Sequence, residues 1–371
     1  MRRHPLSRWI PLVLAALVLA ACGESEPETA PAESAPADEA PADDEADEPE
    51  ATAEPELRIV AKLAPVADLV AMVGGERVEV TSLVPPGADS HTYEPRPSDV
   101  ATLADADAFV GIGLELNPGA VSLAAENLSE EAVVLLAERY LDIDGLIHDH
   151  VHDEDGGHSH DDDGGHSHDE DGGHSHDDDG HTHDGDEPEP NPHVWTSLRL
   201  AADLVDGIAD VLADLDPEGA DEFRERAGEA RAEIEDLDER VSAATATIPE
   251  DNRTLVAYHD AWTYFARDHG LEMITAVQPS DYAEPSASDV RGIIDLVREH
   301  DVPALFGSEE FDNEVLAVIA EETGATYVGD LADDELPGEP GDPEHTYLGL
   351  MQRNAGLIVE HLGGDVEALR G

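Results

Sequence analysis

Between His152 and His193 the chain contains no Ala, Val, Ile, Leu, Met, Phe, Trp, Tyr or Cys. A stretch with nothing to bury cannot be core, so any fold must be assembled from the sequence on either side of it. Inside it an eight-residue unit, Gly-Gly-His-Ser-His-Asp-x-Asp, starts at Gly156, Gly164 and Gly172, and a shortened copy starts at Gly180. Sequence repeats build solenoids by stacking apolar faces, and this unit has none to stack. Residues 148–190 therefore read as an insertion. It carries His148, His150, His152, His158, His160, His166, His168, His174, His176, His181 and His183, most of them in His-x-His pairs flanked by aspartate, a composition that attracts metal ions.

The N-terminus reads as an export signal. Arg2, Arg3 and Arg8 precede an apolar stretch from Trp9 to Ala21, too short for a comfortable membrane span. It runs into Leu19-Ala20-Ala21-Cys22-Gly23, which resembles a bacterial lipobox, so residues 1–21 are expected to be a lipoprotein signal and Cys22 the lipidated residue. Residues 22–56 would then be a tether. From Glu24 to Glu56 it holds acidic residues, Ala, Pro, Ser and Thr with no Lys or Arg, a composition that repels itself and stays extended. Localisation would be extracytoplasmic: the periplasm, or the outer face of the cytoplasmic membrane. Cys22 is the sole cysteine, which excludes intrachain disulfides and thiolate metal sites. The 88 acidic residues against 19 basic ones give a formal charge of −69, which excludes nucleic acid as a partner and leaves the lipid as the route to a membrane. Only one basic residue, Lys62, is a lysine.

Strand and helix signals alternate on both sides of the insertion. Apolar runs at Arg58–Lys62, Val78–Leu83 and Ala108–Gly113 read as short strands, with helices such as Pro97–Ala104 between them. Helical periodicity follows at Leu198–Leu215 and over a long charged segment, Ala220–Thr247. A second series comes next: strand Thr254–Tyr258, helix Ala261–His269, strand Glu272–Val277, helix Ser288–His300, strand Ala304–Gly307, helix Asn313–Thr323, strand Ala325–Val328 and helix Tyr347–Leu362. The expected fold is α/β: two lobes with mostly parallel sheets, residues 57–195 and 251–371, joined by a helical region, residues 196–250, in which the long helix bridges the lobes.

Three histidines stand where ligands would. His91 lies in a turn-rich loop after a strand, His259 follows Leu255-Val256-Ala257-Tyr258, and His193 follows Asn191-Pro192 ahead of a helix. Open α/β sheets bind ligands at the carboxyl ends of their strands. Asp330, after the last strand of the second lobe, is a fourth candidate, and three imidazoles with one carboxylate suit tetrahedral Zn²⁺. Taken singly, a histidine on such a turn is more often a surface or capping residue. On spacing alone the carboxylate also stays open, because Asp333, Asp334 and Glu335 follow closely and Glu309 and Glu310 follow another strand.

Gly87-Ala88-Asp89-Ser90-His91-Thr92-Tyr93-Glu94-Pro95-Arg96-Pro97-Ser98-Asp99 closely resembles the signature of the zinc and manganese solute-binding proteins of ABC importers. So do Asn191-Pro192-His193-Val194-Trp195, His259-Asp260-Ala261-Trp262-Thr263-Tyr264-Phe265, Glu284-Pro285-Ser286, and Gly341-Asp342 followed by Tyr347-Leu348, in the family's order from Leu57 to Gly371. The resemblance implies a metal held between two lobes by His91, His193, His259 and Asp330, and a stiff connecting helix. It also implies the membrane permease and ATPase of an importer as partners. Manganese members place glutamate where this chain has His259, which favours zinc as the transported ion. Ser90 departs from a frequent proline, and Thr196-Ser197 from a more usual Leu-Asp.

The expected activity is capture by a monomer, without catalysis: four protein ligands leave no position for an activated water, and no HExxH pair, P-loop or nucleophile elbow occurs. A manganese or iron receptor on the same scaffold stays open. So, from other classes, do a zinc-dependent hydrolase and a passive metal-buffer lipoprotein.

Overall fold

A computed structural model describes residues 55–148, 190–277, 285–308 and 314–370. The signal, the tether with Cys22, and His150 to His183 of the insertion lie outside the described residues.

The first lobe runs β1 (Leu57–Ala61), α1 (Ala64–Gly74), β2 (Val78–Ser82), α2 (Pro97–Ala104), β3 (Ala108–Gly111), α3 (Pro118–Asn127), β4 (Val133–Leu135) and α4 (Leu136–Tyr140). Two helices follow, α5 (Leu198–Leu215) and α6 (Ala220–Thr245). The second lobe runs β5 (Thr254–Ala257), α7 (Thr263–His269), β6 (Glu272–Ala276), α8 (Ala287–Glu299), β7 (Ala304–Ser308), α9 (Glu314–Thr323), β8 (Thr326–Leu331) and α10 (Tyr347–His361).

Both sheets are parallel and have the same design: β2-β1-β3-β4 in the first, β6-β5-β7-β8 in the second. In each the strand order reverses beside the central strand, β1 or β5, which opens a crevice at the carboxyl edge. The local sequence explains the elements that frame that edge. Pro97 occupies the first position of α2, where a missing N–H costs nothing, and Asp99 reaches back to the Arg96 amide at 2.6 Å. Ser197 caps α5 through the Leu200 amide at 3.1 Å, and Thr346 caps α10 through Gly349 at 3.0 Å.

Alternate strand residues divide the core. Ile59, Ala61, Ala108 and Val110 of the first sheet, and Leu255, Ala257, Ala304 and Phe306 of the second, join one apolar core shared with α5, α6 and α10. Val60 and Phe109 turn to a smaller cluster under the first sheet. Val256 and Leu305 turn to another under the second. α6 packs against α1 on one side and against α7 and α10 on the other, so the long helix spans the lobes. Among the described residues no helix is long and apolar enough to cross a membrane.

Candidate metal centre

The loop between β2 and α2 carries His91. Its amide donates to Asp89 Oδ1 at 2.8 Å, and Thr92 Oγ1 donates to the other oxygen at 2.6 Å. From behind, the buried Asn117 side chain donates to the carbonyls of Ser90 and Tyr93, both at 2.9 Å. The turn is therefore fixed on both sides of the imidazole.

His193 precedes α5 and is held by Asn191. The Asn191 Nδ2 group donates to the Asp260 carbonyl at 2.7 Å, which leaves its Oδ1 as an acceptor for the His193 amide at 3.0 Å and for Nδ1 at 2.9 Å. Nδ1 must then carry the proton, and the lone pair lies on Nε2. Asn191 thus orients His193 and ties it to the loop of His259. Tyr264 adds a hydroxyl bond to the Asn191 carbonyl at 2.8 Å. His259 follows β5 by two residues, and the intervening Tyr258 amide still donates to Phe306 at 2.8 Å.

These three histidines meet. One ring nitrogen from each falls within 4.8 Å of the others, and all three residues are buried. His91 Nε2 lies 3.0 Å from His193 Nε2. Burial, then the neighbouring imidazoles and the Lys62 ammonium, hold His193 well below its ordinary value of 6.5, so it stays neutral at pH 7 with a lone pair to give.

Asp330 is not among the groups that converge with these imidazoles. β8 runs on to Leu331, so Asp330 lies within an edge strand and is exposed. The chain turns inward only after it, and Asp333, 1% exposed, brings Oδ2 to 3.2 Å from His259 Nε2. The Asn354 side chain grips the Ala332 backbone at 3.1 and 2.6 Å, and Trp195 Nε1 donates to the Asp333 carbonyl at 2.7 Å. The adjacent Asp334 accepts from the Ser90 amide at 3.0 Å, and Glu335 accepts from the Gly87 amide, so two second-lobe carboxylates grip the loop of His91. Burial, with the Asp333 charge beside it, pushes Asp334 up to about 6. The local sequence signal for Asp333 is the apolar pair Leu331-Ala332 ahead of it; for Asn191, its place two residues before His193. Of the insertion, His148 is described: it bridges antiparallel to Pro190, and the Asn191 amide donates to Ile147 at 2.8 Å, so the ends of the insertion meet beside His193.

A buried cluster of three imidazoles, with the buried carboxylates Asp333 and Asp334 beside it, is a set of groups suited to hold a cation. Residues 59–361 match the family described as zinc-uptake complex component A, periplasmic, and the chain belongs to that family. It is 33% identical over 312 residues to the high-affinity zinc uptake system protein ZnuA of Paracoccus denitrificans, covering 83% of this chain and 92% of the relative. It is also 26% identical to the manganese-binding lipoprotein MntA of Halalkalibacterium halodurans (82% and 88% covered) and 25% identical to the iron-binding protein YfeA of Yersinia pestis (85% and 89% covered). The fold is shared with the periplasmic zinc-binding protein TroA of Treponema pallidum, at a TM-score of 0.67 and 23% identity over 83% of this chain and 99% of that one. The chain is a metal-binding receptor of the solute-binding class that serves ABC importers, and not an enzyme.

Proposed function

We propose that the receptor captures Zn²⁺ between its lobes with His91, His193, His259 and Asp333 and delivers it to the permease and ATPase of an ABC importer. The observation that carries this reading is the convergence of three buried imidazoles on one point. Relatives are named for zinc, manganese and iron, so the metal is argued from the donors. Three borderline nitrogen ligands and one carboxylate suit tetrahedral zinc, whereas manganese takes more oxygen. The test is metal analysis of the purified chain, followed by competition between zinc and manganese for the tight site. One zinc per chain, displaced only by a large manganese excess, is expected; preferential retention of manganese would reverse the choice.

The anchor is proposed to be lipid on Cys22, with residues 22–56 as the spacer. The histidines from His148 to His183 are proposed to gather several zinc ions weakly near the cleft, because ordering a chain around each ion costs conformational entropy. The bridge between His148 and Pro190 sets the design of the test: replacing residues 149–189 with a short Gly-Ser turn keeps both ends of the insertion. Stoichiometry should fall to about one with the tight site intact. Loss of the tight site, or an unchanged stoichiometry, would refute this division of labour.

A further inference from the structure

The last residue of β8 paired in its sheet is Leu331, which faces Ser308. Asp333 comes two residues later, so the sheet does not set its position. Two buried side chains take hold of the backbone there. Asn354 of α10 binds the amide and the carbonyl of Ala332, at 3.1 and 2.6 Å. Trp195, on a short helical turn that directly follows His193, donates its indole N–H to the Asp333 carbonyl at 2.7 Å. The Trp195 carbonyl in turn accepts the Tyr347 hydroxyl at 2.7 Å, and Tyr347 lies on α10 with Asn354. These contacts close a bracket: from α10 through Asn354 to the acidic turn, through the indole to Trp195, and through Tyr347 back to α10. Trp195, Tyr347, Asn354 and Asp333 are all buried, so each of these bonds is made in a low-dielectric interior.

A buried indole needs an acceptor, and any carbonyl of the core would serve. A plain core role does not account for where this one points. The Trp195 ring lies 5.3 Å from the His193 imidazole, and its N–H ends on the backbone of the residue whose Oδ2 stands 3.2 Å from His259 Nε2. One side chain thus bears on an imidazole and on the acid. We propose that Trp195 is a positioning residue for the metal: its N–H fixes the turn at Asp333 and so holds the carboxylate where an ion bound by the three imidazoles meets it. The inference rests on the proposed reading of Asp333 as the oxygen ligand. A group that acts by orienting a ligand contributes only through that ligand, so the effect of the indole N–H must vanish once the carboxylate is gone.

The test is a double-mutant cycle on the full chain, with zinc affinity read by competition with a chromophoric chelator. Trp195→Phe keeps an aromatic ring and removes the donor. Should it fail to fold, the tryptophan analogue with sulfur in place of the indole N–H, installed at position 195, decides, because it keeps the shape of the side chain. Each change is made in the wild-type chain and in Asp333→Ala. In the wild-type chain, loss of the N–H should weaken zinc binding about tenfold. In Asp333→Ala it should weaken binding no further. An unchanged affinity in the wild-type chain overturns the proposal. So does a loss as large in Asp333→Ala as in wild type, which is the outcome that a plain core role predicts. The failure of the underlying reading looks different: Asp333→Ala would itself bind zinc like wild type, and the carboxylate assignment would then fall together with the role of Trp195.

Discussion

The two sheets share one strand order, yet their carboxyl edges carry opposite chemistry. The central strand of the first lobe ends at Lys62, a buried cation, and the equivalent strand of the second ends at Tyr258-His259, a proposed ligand. The first lobe adds His91 after β2, and the second adds the buried Asp333 and Asp334 after β8. Topology thus fixes where a metal can sit but not which edge attracts it. On the proposed site neither lobe holds a full ligand set, so tight binding would require both lobes and the Asn191-Pro192-His193 turn.

The sharpest way to break this comparison is to remove one imidazole at a time. His91→Ala, His193→Ala or His259→Ala should each cost more zinc affinity than the roughly 10–100-fold typical of outer-shell changes. Titration of each variant checks this; single mutants that all bind one zinc like wild type would refute the shared site. Asp333→Ala should come next, on the order of 10–100-fold, because water can replace one carboxylate oxygen. Its control is Asp330→Ala, which should bind zinc like wild type; the reverse ranking would return the role to Asp330. Asn191→Ala should cost about tenfold. It frees the tautomer of His193 and severs its tie to Asp260 without removing a ligand. An affinity equal to wild type would show that the Asn191 side chain is not needed to orient the ring.

Much of this fold could be read from the residues, and the failures have physical causes. α5 and α2 run over the expected spans, because α5 has a strongly one-sided apolar face and α2 opens with Pro97. α1 escaped notice as a helix because it is apolar on nearly every side, buried between sheet, α5, α6 and α10. The three histidines could be singled out because His259 follows a strand end, His193 precedes a helix and His91 lies in the turn-rich loop after β2. Asp330 lies apart from the three imidazoles because the second sheet is irregular: pairing shifts between Phe306 and Ser308, where Ser308 faces Leu331, and β8 continues past the expected end at Val328. Tyr327-Val328 marked a strand, but nothing local showed that the chain would stay extended through Asp330 before turning in. The grip of Asn354 on Ala332, from a helix 22 residues away, is likewise invisible to spacing.

The lobes also differ in titration away from the metal centre. Among the described residues, the one buried histidine outside the cluster is His269, at the end of α7 in the second lobe. It docks on α6, with Nδ1 3.1 Å from Ser242 Oγ and Nε2 3.6 Å from Asp238. Burial outweighs the pull of the Asp238 and Asp268 charges and lowers its pKa below 6.5. As pH falls through about 6.5 the unfolded chain therefore takes up the proton first, and stability present above that value is lost. His193 acts in the same direction, while Asp334, raised to about 6, offsets part of the loss below that pH. Comparing slopes isolates His269: metal-free wild type and His269→Gln are melted at about pH 7.5, 6.5 and 5.5. The wild type should lose a few degrees more across that range, since one group contributes at most about 1.4 kcal/mol per pH unit. Parallel slopes would mean that the second lobe carries no such proton-sensitive joint to the long helix, leaving the cleft as the only place where the lobes differ in titration.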